Sequence, residues 1–173
     1  MARAIGREVA IVDEAPATLG ALRAFLSTES TRQYSFARGG ALGWGMPAAV
    51  GFSLGIDRAP VVSIVGDGAA LYSPQALWTA AHERLPVTFV VINNREYNIL
   101  KRFLRSQPHY ASTRANRFIG MDILDPAIDF LALAASMGLP AQRVDRATDI
   151  APALEAAISS RVPNPIEIPV SPA

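Results

Sequence analysis

The chain has 173 residues, half of them hydrophobic and 18% charged, with a formal net charge of +1 and no cysteine. That length supports one domain around one core. Nucleic acid is a poor partner for so balanced a charge without a basic run, no apolar stretch is long enough to cross a bilayer, and disulfide, thiolate and zinc–cysteine chemistry is excluded, which fits a cytoplasmic protein.

In chain order, Val9-Ala10-Ile11-Val12 opens the pattern as a β-branched run, and Leu19, Leu22 and Leu26 predict a helix after Pro16. Tyr34 to Arg38 is a poor strand, and a helix of small residues is expected after Pro47. Val61 to Val65 and Val87 to Ile92 are nearly continuous apolar runs, the signature of strands buried on both faces of a parallel sheet. Ile166-Glu167-Ile168 is a weaker strand near the end. Ser73-Pro74 has the form of an N-cap followed by proline, with Leu77, Ala80 and Ala81 on one face. Asp125-Pro126 repeats that form, with Ala127, Phe130, Leu131 and Ala134 as the buried stripe and Gly138 as the stop. Residues 106–122 are irregular and are expected to form a long loop, either a lid or a plain connection. Thr148 or Asp149 opens a last helix carrying Ile150, Leu154 and Ile158. Strands alternating with helices predict a three-layer αβα domain on a mainly parallel sheet, a single domain over residues 1–173.

The densest glycine segment runs from Gly39 to Gly45. Gly43-Trp44-Gly45-Met46-Pro47-Ala48 fits the loose dinucleotide pattern G-x-G-x-x-A, but it lacks a clear preceding strand, and Asp67 lies too far on to serve the ribose. A nicotinamide or flavin site is therefore disfavoured.

Gly66-Asp67-Gly68 ends one strong strand and Asn93-Asn94 ends the next. In an open parallel sheet both fall on the carboxyl edge, where ligands bind. Asp67 offers a carboxylate and Asn94 an amide oxygen, and a carbonyl just beyond could supply a third. That is a donor set for a hard cation such as Mg²⁺, which completes its octahedron with phosphate oxygens and water. The helix after Ser73-Pro74 is expected to turn its positive end toward the same edge. Singly each motif is a common turn; together, each at the end of a strand, they are far more specific.

The span from Gly66 to Asn94, with about two dozen residues between Gly-Asp-Gly and Asn-Asn, resembles the cofactor motif of thiamine-diphosphate-dependent enzymes. Gly39 to Gly43 before Met46-Pro47-Ala48-Ala49, Ala76 to Ala81, Tyr97 to Phe103 and Asp129 to Ala132 are similar to the carboxyl-terminal part of the benzoylformate decarboxylase family, and the likeness covers nearly the whole chain.

The resemblance implies that Asp67, Asn94 and the backbone oxygen of Glu96 hold Mg²⁺ or Ca²⁺ against the cofactor diphosphate. It implies that Gly68 and Ala69 offer N–H groups to the phosphates, that Gly40 accepts from the aminopyrimidine amino group, and that Leu42 wedges beneath the bent cofactor. Tyr97, Asn98 and Ile99 are implied along the cofactor, and Leu100 and Phe103 along the substrate pocket. Without the motif, Leu42 and Phe103 would be taken as ordinary core. Three departures stand out: Ala69 where relatives have a hydroxyl, Pro16 and Ala17 where they have Ser or Thr (leaving Thr18 or backbone to make those contacts), and a larger Ile99, which argues against an aromatic 2-oxoacid. His82 and His109 are not carried over as acid–base groups. The activity implied is nonoxidative decarboxylation of a small 2-oxoacid to an aldehyde, with an acetolactate-synthase-type carboligase as the alternative and a nucleotide-binding, non-catalytic module as a third reading. The activating glutamate is expected on a pyrimidine-binding domain of a neighbouring subunit, within a homo-oligomer. On that reading the chain is inactive alone: a carboxyl-terminal third of a longer enzyme, or the small subunit of a two-chain decarboxylase.

Overall fold

Six segments pair side by side into one sheet: β1 (Ala10–Glu14), β2 (Tyr34–Phe36), β3 (Val61–Gly66), β4 (Val87–Asn93), β5 (Gln142–Arg143) and β6 (Asn164–Pro169). They come from a computed structural model that describes residues 1–26 and 34–171. Every pairing is parallel and the order is β2-β1-β3-β4-β6-β5. From β1 the chain first goes outward to β2 and then crosses back to β3 on the other side. The strand order therefore reverses between β1 and β3, and a crevice opens there beyond the carboxyl ends.

The helices are α1 (Leu19–Phe25), α2 (Gly45–Gly55), α3 (Asp67–Ala70), α4 (Gln75–Glu83), α5 (Asn98–Arg105), α6 (Ala111–Arg114), α7 (Phe130–Ser136) and α8 (Ala147–Ser160). Strand alternation divides the core into two layers. Val61, Val65, Val87, Phe89 and Val91 pack with α2, α4 and α7 on one face. Val62, Ile64, Val90, Ile92, Ile166 and Ile168 pack with Leu22 of α1 and Leu154 and Ala157 of α8 on the other. This is the αβα architecture expected.

Several local expectations are corrected. Tyr34 to Phe36 does form a strand, because β1 offers it an unpaired edge and the Tyr34 hydroxyl anchors it by donating to Asp13 Oδ2 at 2.5 Å. Burial and that bond to a carboxylate push the Tyr34 phenol up to about 12. Asp125-Pro126 opens no helix. Residues 124–127 turn on a Leu124–Ala127 bridge, and α7 begins at Phe130, where Asp129 caps it by accepting from Ala132 N at 2.9 Å. Ala127 is therefore exposed, while Phe130 and Ala134 are buried and Gly138, at φ +80°, ends the helix as expected. Ser73 is not a side-chain cap. Its hydroxyl donates to the Gly43 carbonyl at 2.8 Å, and α4 starts two residues later. The last helix opens at Ala147 without a side-chain cap, and buries Leu154 in the register expected. The irregular stretch 106–122 contains the single turn α6 and returns to the sheet edge through a Glu96–Asp122 bridge.

Candidate functional site

The crevice at the switch point is lined by three turns that follow β1, β3 and β4. They contribute Ala15 to Thr18, Gly66 to Ala69, and Asn94 with Glu96 to Ile99; Leu42 closes the side. Register explains the convergence. Gly66 lies opposite Ile92 in adjacent parallel strands, so Asp67 and Asn94 leave the sheet at nearly the same level. Asp67 accepts from Gly68 N through Oδ1 at 2.9 Å and from Arg95 N through Oδ2 at 2.6 Å. Asn94 Oδ1 accepts from Glu96 N at 3.1 Å. Burial pushes the Asp67 carboxyl above the ordinary aspartate range, against the pull of those backbone N–H donors. Arg95 takes a left-handed φ of +59°, a strained position for a side-chain-bearing residue, and that kink delivers its N–H to Asp67.

Buried polar atoms indicate what the site suits. Glu96 Oε1 and Asn98 Oδ1 are both buried without a hydrogen-bond partner among the described residues. The Glu96 carboxylate already meets Lys101 through Oε2, which leaves the Asn98 amide oxygen as the atom suited to a donor or a cation. No group of three or more His, Cys, Asp or Glu that could hold a metal ion occurs among the described residues. One carboxylate, amide oxygens and a carbonyl instead match a hard cation that takes its remaining ligands from phosphate and water.

Nine residues expected from the sequence line this crevice: Leu42, Asp67, Gly68, Ala69, Asn94, Glu96, Tyr97, Asn98 and Ile99. Leu42 is exposed rather than core. Gly40, Leu100 and Phe103 do not line it. Gly40 sits at φ +67° in the exposed turn before α2, and Leu100 and Phe103 face outward from α5. The Gly68 N–H expected for phosphate is given to Asp67 Oδ1, and the Thr18 hydroxyl to the Ala15 carbonyl at 3.1 Å. The positive end of α4 is not part of the lining, because α3 intervenes. His82 stacks on Trp78 on the exposed side of α4, and His109 lies in the excursion; neither reaches the crevice.

Glu14 and Lys101 support the site without standing out in the sequence, and Asn93 takes a role apart from that of Asn94. Glu14, at the end of β1, accepts from Trp44 N at 2.9 Å and Gly45 N at 2.8 Å. The N-terminus of the G-x-G-x-x-A helix is thus already met by a carboxylate, which removes the phosphate seat a dinucleotide needs. Asn93 Nδ2 donates to the buried Glu167 Oε1 at 2.6 Å, so the two consecutive asparagines serve opposite sides of the strand. Lys101 is buried against Glu96 and Asp122. An acid at a strand end is the available signal for Glu14, the Asn-Asn pair signals Asn93 without its partner, and nothing local signals Lys101. A larger cavity of about 550 Å³, between α1 and α8, is lined almost wholly by apolar residues and has no convergent polar set.

A doubly wound parallel sheet with a hard-cation donor set at its switch point defines an α/β domain suited to a phosphate-bearing ligand. Residues 2–168 match the family model described as thiamine pyrophosphate enzyme, C-terminal TPP binding domain, and the chain belongs to that family. It is 32% identical over 163 residues to benzoylformate decarboxylase of Pseudomonas aeruginosa, covering 94% of this chain and 29% of that one. It is 38% identical over 132 residues to a Mycobacterium tuberculosis protein named as an acetolactate synthase large subunit, covering 76% and 26%. The solved 4-hydroxybenzoylformate decarboxylase of Rhodococcus jostii RHA1 superposes with a TM-score of 0.88 at 30% identity, over 98% of this chain and 31% of that one. The chain thus spans between a quarter and a third of the length of these relatives. No helix among the described residues is long and apolar enough to cross a membrane.

Proposed function

We propose that this domain holds thiamine diphosphate through a divalent cation, Mg²⁺ or Ca²⁺, and serves a nonoxidative 2-oxoacid decarboxylase. The observation that carries the reading is the meeting of Asp67 and Asn94 at one crevice on the carboxyl edge of β3 and β4. Asp67, Asn94 and the Glu96 carbonyl would ligate the ion. That carbonyl receives no hydrogen bond from the described residues, so its lone pairs are uncommitted. Backbone of Gly68 and Ala69 would face the diphosphate, while Gly40 and Leu42 would meet the aminopyrimidine side. Tyr97, Asn98 and Ile99 would wall the cofactor, and Leu100 and Phe103 the substrate. Bound thiamine diphosphate supplies an electron sink for the pair released as CO₂ leaves. The chain's own part is to bind, orient and exclude water.

The crevice holds only about 50 Å³, far below the roughly 300 Å³ at which small-molecule sites begin. This chain therefore encloses the cofactor only in part. The opposite wall, with the activating glutamate, would come from a pyrimidine-binding domain on a neighbouring subunit of a cytoplasmic homo-oligomer, and the chain alone would be inactive. Titrating the full-length protein with thiamine diphosphate, with Mg²⁺ or with EDTA, is expected to show metal-dependent binding. CO₂ release with aldehyde from a 2-oxoacid then supports decarboxylation. The likeness to an acetolactate synthase large subunit favours a second reading, carboligation, whose product from pyruvate is acetolactate. Absence of metal-dependent cofactor binding in the full-length protein refutes both.

A further inference from the structure

Helix α5 buries the wrong residues for a surface helix. Asn98 and Lys101 face inward, 4% and 6% exposed, while Leu100 and Phe103 face solvent. An amphipathic helix is ordinarily fastened by its apolar stripe, so something else must hold this one. Its buried charge is the Lys101 ammonium, whose Nζ donates to Glu96 Oε2 and, at 2.5 Å, to Asp122 Oδ1. Burial opposes the charge on Lys101, but its two carboxylate partners outweigh that and hold its pKa above the ordinary lysine value. Those partners belong to different segments. Glu96 lies in the turn after β4, its N–H fixed by Asn94 Oδ1 at 3.1 Å. Asp122 lies where the 106–122 excursion returns. Backbone bonds cross at the same place, from Tyr97 N to Met121 O at 2.9 Å and from Ile123 N to Arg95 O at 2.8 Å.

We propose that Lys101 is a positioning residue: its ammonium latches α5, the 94–97 turn and the returning excursion together, and so presets the Glu96 carbonyl and the Tyr97–Asn98 wall for the metal–diphosphate group. The proposal rests on the reading of the site given above. Lys101 touches neither ion nor cofactor; it acts through Glu96. A buried lysine is uncommon unless paired, and removing it leaves the Glu96 carboxylate buried without its cation. The turn would then open to hydrate it, carrying the Glu96 carbonyl away from Asp67 and Asn94.

The test uses the full-length protein and its Lys101→Met, Lys101→Arg and Asp122→Asn variants. Mg²⁺ affinity is measured by calorimetry at saturating thiamine diphosphate, and hydrogen exchange is followed over residues 106–123. Lys101→Met is expected to weaken Mg²⁺ binding roughly 10- to 100-fold, as loss of outer-shell support does, and to speed exchange in the excursion. Lys101→Arg, which keeps a cation between the two carboxylates, is expected to restore most of both. Asp122 is exposed, so Asp122→Asn is expected to weaken binding only a few-fold, and it decides the matter if Lys101→Met does not fold. Wild-type Mg²⁺ affinity in either Lys101→Met or Asp122→Asn overturns the latch, as does failure of Lys101→Arg to recover binding. If the unsubstituted protein binds no cofactor, the functional reading fails first, and the exchange data still report whether Lys101 fastens the excursion.

Discussion

The two walls of the crevice are built on opposite principles. The floor, formed by the ends of β3 and β4, rests on fully buried strands, and each of its polar side chains is pinned by backbone N–H groups. The outer side, where residues 96–99 lead into α5 and the 106–122 excursion lies behind, buries a lysine and an asparagine and shows the apolar residues of α5 to solvent. The first is complete in this chain. The second leaves apolar groups outward, where they gain hydrophobic stabilisation only if another surface closes on them. A rigid floor suits fixed chemistry, such as a cation and a diphosphate, whereas an uncovered wall suits the part of the site that a partner completes.

Asp67→Ala separates the two walls most sharply. It is expected to weaken Mg²⁺ binding by more than about a hundredfold, beyond the roughly 10- to 100-fold of outer-shell changes, measured by calorimetry with thiamine diphosphate present. Retained binding would place the ion elsewhere. Gly68→Ala probes the seam between floor and wall. A Cβ there would stand 2.5 Å from Tyr97 Cε1, so the ring must move, and about 1–3 kcal/mol of stability should be lost by overpacking, read from thermal or urea unfolding. A neutral result would show that Tyr97 yields freely and that the wall is softer than described. Phe103→Ser is the mildest. Phe103 is 57% exposed, so stability should shift by no more than about 0.5 kcal/mol. KM for the 2-oxoacid or the strength of subunit association should change instead, and a large loss of stability would mean that α5 is fastened by apolar packing after all.

Legibility followed the same division. Val61 to Val65 and Val87 to Ile92 announce themselves because strands buried on both faces must be apolar at every position. Gly66-Asp67-Gly68 and Asn93-Asn94 inherit their place from those strands, since a parallel sheet puts both on one edge. β6 is harder to read because Glu167 interrupts its apolar run, and that buried acid is met by Asn93, 74 positions earlier, which donates to it, and by Arg143 opposite it on β5. Tyr34 to Phe36 looks unlike a strand because its stability comes from the free edge of β1 and from Asp13. The cap expected at Asp125 is made by Asp129, four residues on: both are aspartates at a helix approach, but Asp125 lies in the 124–127 turn while Asp129 accepts from Ala132 N.

What the sequence determined by itself was therefore whatever depends on local pattern: the parallel sheet, its two principal strands, and the carboxylate and amide at their ends. Only the tertiary structure decided which distant polar groups meet. Glu14 on the amides of Trp44 and Gly45, Asn93 on Glu167, and Lys101 between Glu96 and Asp122 are pairings of residues that lie apart in the chain or carry no periodic signal. The physical reason is that burying a charge is favourable only if a partner is already in place, and where that partner lies is set by the folded topology rather than by neighbours along the chain.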